Sequence, residues 1–151
     1  MWQGTFRLND EPMSKLEIAS FRLDAFSGDG KHRNKRNSMC LANEGPIPHG
    51  LYYIVDRGSG GPIGKINTVL SGAWDWFALY ANDGKIDDWT FCNKVERGLF
   101  RLHPKGWRGS SKGCIVVDDP VKFRNLRNFL LSQKHIIPSK EIRTYGTIRV
   151  I

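Results

Sequence analysis

One histidine and one cysteine are surrounded by the residue types that nucleophilic catalysis needs. His103 and Cys114 lie in "FRLHPKGWRGSSKGCIVV", where ten residues separate them. A thiol is mostly protonated at neutral pH, so a catalytic cysteine needs a nearby base or positive charge. Arg108 and Lys112 add two cations to the histidine in this stretch. The pattern indicates a candidate Cys/His pair for acyl transfer.

The backbone next to the thiol supports this chemistry, but a structural role is also open. Gly113 permits a tight turn in which consecutive amides can point at a developing oxyanion, and Ser110 and Ser111 offer hydroxyls. However, Cys114 opens "CIVV", which is typical of a buried strand, and unpaired cysteines are often buried. The residues alone leave both interpretations open.

The elements that position this pair are predicted to be mainly strands, because glycine and proline separate short segments rich in aromatic and β-branched residues. We expect antiparallel pairing of "LFRLH" with "CIVV" to bring His103 and Cys114 together. Asp83 and Gly84 predict a hairpin turn. The predicted strands are Gly4 to Leu8, Lys15 to Phe21, Leu51 to Asp56, Trp74 to Ala81, Leu99 to His103, Cys114 to Val117 and Arg143 to Val150.

A single segment has helical spacing. "DDPVKFRNLRNFLLSQ" begins with an aspartate cap and Pro120 near the first helical position, and Phe123, Leu126 and Leu130 follow on one face. We predict one main helix near residues 119–133, with these apolar side chains in the core.

The composition predicts a single domain over residues 1–151. The net charge of +8 favours polyanionic partners such as nucleic acid, an anionic membrane surface or bacterial cell wall. No run of eighteen apolar residues occurs, so we expect no membrane span, and the N-terminus does not resemble a secretory signal. Three cysteines leave at least one thiol unpaired in a monomer, and a bridge between Cys40 and Cys92 is possible.

Three other patterns have weaker functional interpretations. "RGSGGPIGKI" lacks the first glycine and the Ser/Thr of a phosphate loop, so a surface turn is favoured. "KHRNKRN", residues 31–37, contains no stacking aromatic; it predicts a solvated basic loop, or one that helps to hold an anionic substrate, and no nucleic acid is expected. Cys92, His103 and Cys114 lack the close ligand pair of a zinc site, so neither a metal nor a cofactor is predicted.

Five ordered blocks carry a resemblance to a known family. They are "FSGDGKHRN", "GPIPHGLYYIVDR", "WFALY", "FRLHP" and "SKGCI", and they span Phe26 to Ile115. In these blocks the chain resembles the type VI secretion L,D-transpeptidase effectors, a divergent branch of the YkuD-type L,D-transpeptidases. The resemblance implies a mainly β, YkuD-like sandwich or barrel that acts on peptidoglycan through a cysteine nucleophile.

The resemblance also assigns residues. The nucleophile falls on Cys114, the histidine on His103 and the motif serine on Ser111, with the amides of Gly113 and Cys114 as oxyanion donors. Partners for the carboxylates of stem peptides are expected among Arg101, Arg108 and Lys112.

The sequence departs from the broader YkuD pattern at two positions. Lys112 stands where that pattern has a histidine, and Val116 stands where it has asparagine or arginine. These departures leave the group that orients His103 open, and Pro104 has no N–H to donate.

The resemblance implies an antibacterial effector. It would act on peptidoglycan tetrapeptide stems as an L,D-carboxypeptidase, or exchange the terminal D-amino acid, in the periplasm of a target cell. A cognate immunity protein and the secretion machinery are the expected protein partners. Two alternatives stay open: a non-catalytic basic module that binds cell wall or nucleic acid, and a cysteine amidopeptidase that cuts elsewhere in the stem.

Overall fold

The computed structural model describes residues 1–57, 76–106, 112–133, 135–137 and 142–151. This part of the chain contains eleven strands, one α-helix and two short 3₁₀ turns, Gly30–His32 and Arg36–Ser38. The strands are β1 (Gln3–Phe6), β2 (Ser14–Ile18), β3 (Phe21–Phe26), β4 (Gly50–Asp56), β5 (Phe77–Ala81), β6 (Trp89–Cys92), β7 (Val95–Gly98), β8 (Arg101–Pro104), β9 (Ile115–Val117), β10 (His135–Ile137) and β11 (Ile142–Val150). The helix is α1 (Pro120–Leu131).

Eight strands form a barrel in the order β1-β2-β3-β9-β8-β5-β4-β11, which a parallel pairing of β1 with β11 closes. Strand β10 pairs with the first residues of β11, and β6 and β7 form a separate two-stranded sheet. The predicted mainly β barrel with one helix is therefore confirmed. The helix in the described residues is not long and apolar enough to cross a membrane.

Helix α1 follows the rules by which it was predicted. Its N-cap residue Asp119 accepts hydrogen bonds from the amides of Val121 and Lys122, and Pro120 occupies the first helical position. Phe123, Leu126 and Leu130 are buried in the barrel core, where they join apolar residues from the inward faces of the strands. The predicted helix and its core face are confirmed.

Strands β8 and β9 pair in parallel, so the expected antiparallel pairing is wrong. Leu102 is level with Ile115, and His103 is level with Val116. Parallel neighbours usually need a connection of a dozen residues or more, and only ten residues separate Pro104 from Ile115. Because the connection is so short, the sequence favoured an antiparallel hairpin of these two strands.

Two other local predictions need correction. Ala19 and Ser20 form a turn that ends β2, so the predicted strand Lys15 to Phe21 is divided between β2 and β3. Asp83 and Gly84 form a bend and no hairpin turn. The nearest hairpin turn joins β6 to β7 at Asn93 and Lys94, both with positive φ. The sequence missed that turn because it contains no glycine. The predicted start at Trp74 and most of "RGSGGPIGKI" lie outside the described residues.

The β6–β7 hairpin is bonded to the loop that follows β3. A disulfide joins Cys40 to Cys92 across a sequence separation of 52, so the bridge that the sequence left possible is present. The buried guanidinium of Arg97 on β7 donates to the carbonyl oxygens of Met39, Gly45 and Pro46. Burial lowers the pKa of Arg97, and the three carbonyls compensate the buried charge with hydrogen bonds. Loop and hairpin therefore act as one structural unit.

Replacing both Cys40 and Cys92 with serine should lower the free energy of unfolding. The bridge closes a loop with a sequence separation of 52, for which the chain-entropy relation gives about 4 kcal/mol. Urea unfolding without reductant, followed by tryptophan fluorescence, measures the change. Cys114→Ser is the control because it removes a cysteine outside the bridge. Equal midpoints for the double variant and the wild type would refute this role of the bridge.

Candidate active site

The pairing of β8 with β9 places His103 and Cys114 on the same face of the barrel wall. Leu102 and Ile115 point into the core, so the residues next to them point outward. Extending the register by one residue puts Cys114 level with Arg101, two positions from His103 along the strands. The candidate pair that the sequence singled out therefore lies on one face of two neighbouring strands.

This outer face is covered. Phe26, Val55, Ala78 and Val116 each have at most 2 % of their surface exposed, yet none belongs to the barrel core. They belong to the strands around the pair: β3, β4, β5 and β9. His103 itself is 7 % exposed and Cys114 is half-buried. The pair thus occupies a low-dielectric environment in which charges and hydrogen bonds act strongly.

Two contacts fix the ring of His103. Its Nδ1 lies 2.8 Å from the carbonyl oxygen of Pro104, and because a carbonyl can only accept, Nδ1 carries the proton. In the neutral ring, Nε2 is therefore the basic nitrogen. The indole of Trp76 stacks on the imidazole, with the centroids 4.0 Å apart and the planes at 17°. The question of what orients His103 is answered by the carbonyl of the proline that follows it.

The environment of Cys114 contains opposing influences on its thiol. Burial raises the pKa of Cys114, whereas a hydrogen bond from the Arg101 backbone and the charges of Arg101 and Arg57 lower it. The carboxylate of Asp88 acts in the same direction as burial. The net pKa of Cys114 lies above its ordinary value. These influences together favour the neutral thiol over the thiolate.

The side chain of Arg101 is held by a carboxylate. Its Nη1 and Nη2 donate to the two oxygens of Asp88 at 2.7 and 2.8 Å, and both side chains are largely buried. Burial alone would lower the pKa of Arg101. The hydrogen bond and charge of Asp88 act in the opposite direction, and the net pKa lies above its ordinary value. Such a two-point pair fixes the guanidinium in one position, so Arg101 stabilises the wall of the site and its backbone holds the thiol.

Gly113 is packed too closely for any other residue. Its φ is +101°, and a Cβ built on it would lie 2.7 Å from Cε1 of Phe100 and 2.8 Å from Nη2 of Arg97. The loop and hairpin bonded by Arg97 thus pack against the residue before Cys114. Of the other predicted site residues, Lys112 is exposed, and Ser111 and Arg108 lie outside the described residues.

Four residues of this site were not predicted from the sequence: Arg57, Trp76, Asp88 and Arg97. Trp76 and Arg57 lie inside blocks quoted for the family resemblance, and that was the only signal for them. The alternative of a metal held by Cys92, His103 and Cys114 is wrong, because the sulfur of Cys92 is bonded to Cys40. Among the described residues, no group of three His, Cys, Asp or Glu side chains could hold a metal ion.

A family comparison identifies the domain that contains this site. The model of the Tlde1 domain matches residues 21–140, most of the chain, including both His103 and Cys114. The chain belongs to the Tlde1 domain family. Tlde1 domains are the type VI secretion L,D-transpeptidase effectors, so the family predicted from the sequence is confirmed. Membership implies a secreted, enzymatic effector of the L,D-transpeptidase kind. No curated protein and no solved structure matches the chain significantly.

Gly113→Ala should disturb this Tlde1 site. The added Cβ would overlap Phe100 and Arg97 in a backbone conformation that alanine disfavours, so we expect the free energy of unfolding to fall by about 1–3 kcal/mol. Alkylation of Cys114 by iodoacetamide should also become faster as the thiol loses its cover. Gly106→Ala is the matched control, because a Cβ there meets nothing within 4 Å. Identical stability and alkylation in both variants would show that Gly113 is not tightly packed.

Proposed function

We propose that this Tlde1 domain is a cysteine L,D-carboxypeptidase that also exchanges the terminal D-amino acid of peptidoglycan tetrapeptide stems. The observation that carries the proposal is the parallel register of β8 and β9, which puts His103 and Cys114 on one covered face. The Nδ1 bond of His103 to Pro104 supports it, since it leaves Nε2 as the basic nitrogen.

The first half-reaction forms a thioester. The Cys114 sulfur attacks the carbonyl carbon that joins the third residue's L-centre to the terminal D-alanine, while His103 Nε2 takes the thiol proton. The amides of Gly113 and Cys114 donate to the oxyanion of the tetrahedral intermediate. When that intermediate collapses, the C–N bond breaks and His103 returns the proton to the amine of D-alanine. The acyl part of the stem remains on the sulfur.

The second half-reaction frees the enzyme. His103 removes a proton from the incoming nucleophile, which attacks the thioester, and the C–S bond breaks. The proton then returns to the Cys114 sulfur. Water as nucleophile gives a tripeptide stem and completes a carboxypeptidase reaction. The amine of another D-amino acid completes an exchange. One acyl-enzyme thus accounts for both activities.

The other predicted site residues take supporting roles in this proposal. Ser111 positions the substrate beside the thiol, and Arg108 and Lys112 are partners for stem carboxylates. Arg101 was predicted as a third partner for these carboxylates, and Asp88 already holds its guanidinium. The net charge of +8 favours binding to a carboxylate-rich polymer.

The proposed reaction fits an antibacterial effector. Removing the terminal D-alanine depletes the donor stems from which cell-wall crosslinks are made, which would harm a competitor in whose periplasm the enzyme acts. The producing cell then needs an immunity protein, which we expect to cover the Cys114 cleft, and the secretion machinery as a delivery partner. The organisation as one catalytic domain over residues 1–151 belongs to the same proposal.

Digestion of purified muropeptides, read by mass spectrometry, tests the proposal. Wild-type protein should remove one D-alanine from tetrapeptide stems, and added D-amino acids should appear at the same position. Cys114→Ala should give no product, and His103→Gln should lower the rate by roughly 10²- to 10⁴-fold, the usual contribution of a general base.

The control variant is His49→Gln, which changes an exposed loop histidine and should leave the rate unchanged. Products cut elsewhere in the stem would indicate the amidopeptidase alternative. Unchanged stems with the wild type, or equal product from Cys114→Ala, would refute the proposed function.

A further inference from the structure

Two arginines lie at opposite ends of a row of outer-face residues centred on His103. The register of the barrel puts Phe26 level with Val116, and Val116 level with His103. Extending the β5–β8 and β4–β5 pairings by one residue puts Trp76 level with His103, and Arg57 level with Trp76. We call this row, across β3, β9, β8, β5 and β4, the His103 row.

Each end of the His103 row holds a guanidinium against an aromatic ring. The Cζ of Arg57 lies 5.0 Å from the ring centroid of Trp76, which itself stacks on His103. At the other end, the Cζ of Arg33 lies 3.6 Å from the ring centroid of Phe26. Stacking on a ring restrains the planar guanidinium, whose N–H donors lie in its plane.

The loop that carries Arg33 is fixed by its buried neighbour Asn34. The Asn34 Oδ1 accepts from the Ser27 amide at 2.9 Å, and its Nδ2 donates to the Glu11 carbonyl at 2.8 Å. Asn34 is fully buried. Arg33 is therefore pre-organised, which reduces the entropy cost of binding a ligand there.

The spacing of the two arginines suits a peptide that passes over the buried side chains of the row. Neighbouring strands are about 4.8 Å apart, so Phe26 and Arg57 each lie about 10 Å from His103, on opposite sides. A tetrapeptide stem whose scissile carbonyl sits at Cys114 extends three residues on the acyl side and one, the terminal D-alanine, on the departing side. Each of its two ends then comes within reach of one arginine.

The positions of the reacting groups fix which end of the peptide lies where. Cys114 precedes β9, and His103 belongs to β8. His103 must protonate the leaving nitrogen, so the departing amino acid lies on the β8 side, toward Arg57. The acyl part stays on the sulfur and extends toward β3 and Arg33.

We propose that Arg57 binds the terminal carboxylate of the departing or incoming D-amino acid, and that Arg33 binds a carboxylate of the acyl part. This inference rests on the proposed function and names the residues that select its substrate. Arginine pairs with a carboxylate through two parallel hydrogen bonds. Because exchange and cleavage place a D-amino acid carboxylate in the same position, Arg57 serves both reactions.

Binding of synthetic stems to the Cys114→Ala protein tests this inference without turnover. Three tetrapeptide stems are compared by calorimetry: the unmodified stem, the stem with its terminal carboxyl amidated, and the stem with the acyl-part carboxyls amidated. Adding Arg57→Gln should weaken binding of the unmodified stem by about 10- to 100-fold, the usual effect of losing a charge-assisted hydrogen bond. Arg57→Gln should not weaken binding of the stem whose terminal carboxyl is amidated, because that stem has already lost the group that Arg57 binds.

Arg33→Gln should give the complementary pattern, a loss that disappears when the acyl-part carboxyls are amidated. Arg149→Gln is the matched control, since it removes the same charge from an exposed position on β11. Equal weakening of all three stems by Arg57→Gln, no weakening by either variant, or no binding of the unmodified stem would overturn the inference.

Wild-type turnover of the unmodified stem is measured in parallel. Selective binding without D-alanine release would contradict the proposed function while supporting the role of the two arginines. Release of D-alanine without selective binding would support the proposed function and contradict the role of the two arginines. The two proposals can therefore fail separately.

Discussion

The parallel pairing of β8 with β9 is the constraint on which the site depends. It turns Leu102 and Ile115 into the core and leaves His103 and Cys114 on the outer face of the barrel. A shift of the register by one residue would bury the thiol in the core and move the imidazole away from it. The register of these strands and the packing around Gly113 therefore position the two candidate catalytic residues.

Burial of the outer face gives the site its electrostatic character. Covering Cys114 favours its neutral form, and Arg57 and Arg101 only partly offset that effect on its pKa. A neutral resting thiol is less reactive toward oxidants and other electrophiles than a thiolate. In the proposed reaction His103 acts as the base, and the carbonyl of Pro104 holds the ring with Nε2 as its basic nitrogen. The protonation state of the Cys114 thiol thus depends on the covering layer as well as on its immediate neighbours.

Local rules predicted the helix, several barrel strands and the candidate pair, because each depends on residues close together in sequence. Asp119, Pro120 and the apolar spacing sufficed for α1, and ordered motifs pointed to Cys114 and His103. The direction of β9 against β8 was not predictable, since it depends on pairings with β3 and β5 made from distant segments. The same reason applies to the disulfide and to Asp88, Trp76 and Arg57, which topology alone brings to the site.

The most direct test of the central claim is to trap the acyl-enzyme. Wild-type protein is mixed with a tetrapeptide stem and quenched in acid within milliseconds to seconds. The quenched protein is then digested, and the masses of its peptides are measured by mass spectrometry. The account predicts a mass increase equal to the stem minus D-alanine, located on Cys114, labile to hydroxylamine as a thioester is, and absent from Cys114→Ala. Release of D-alanine with no adduct at any time point, or an adduct on another residue, would contradict it.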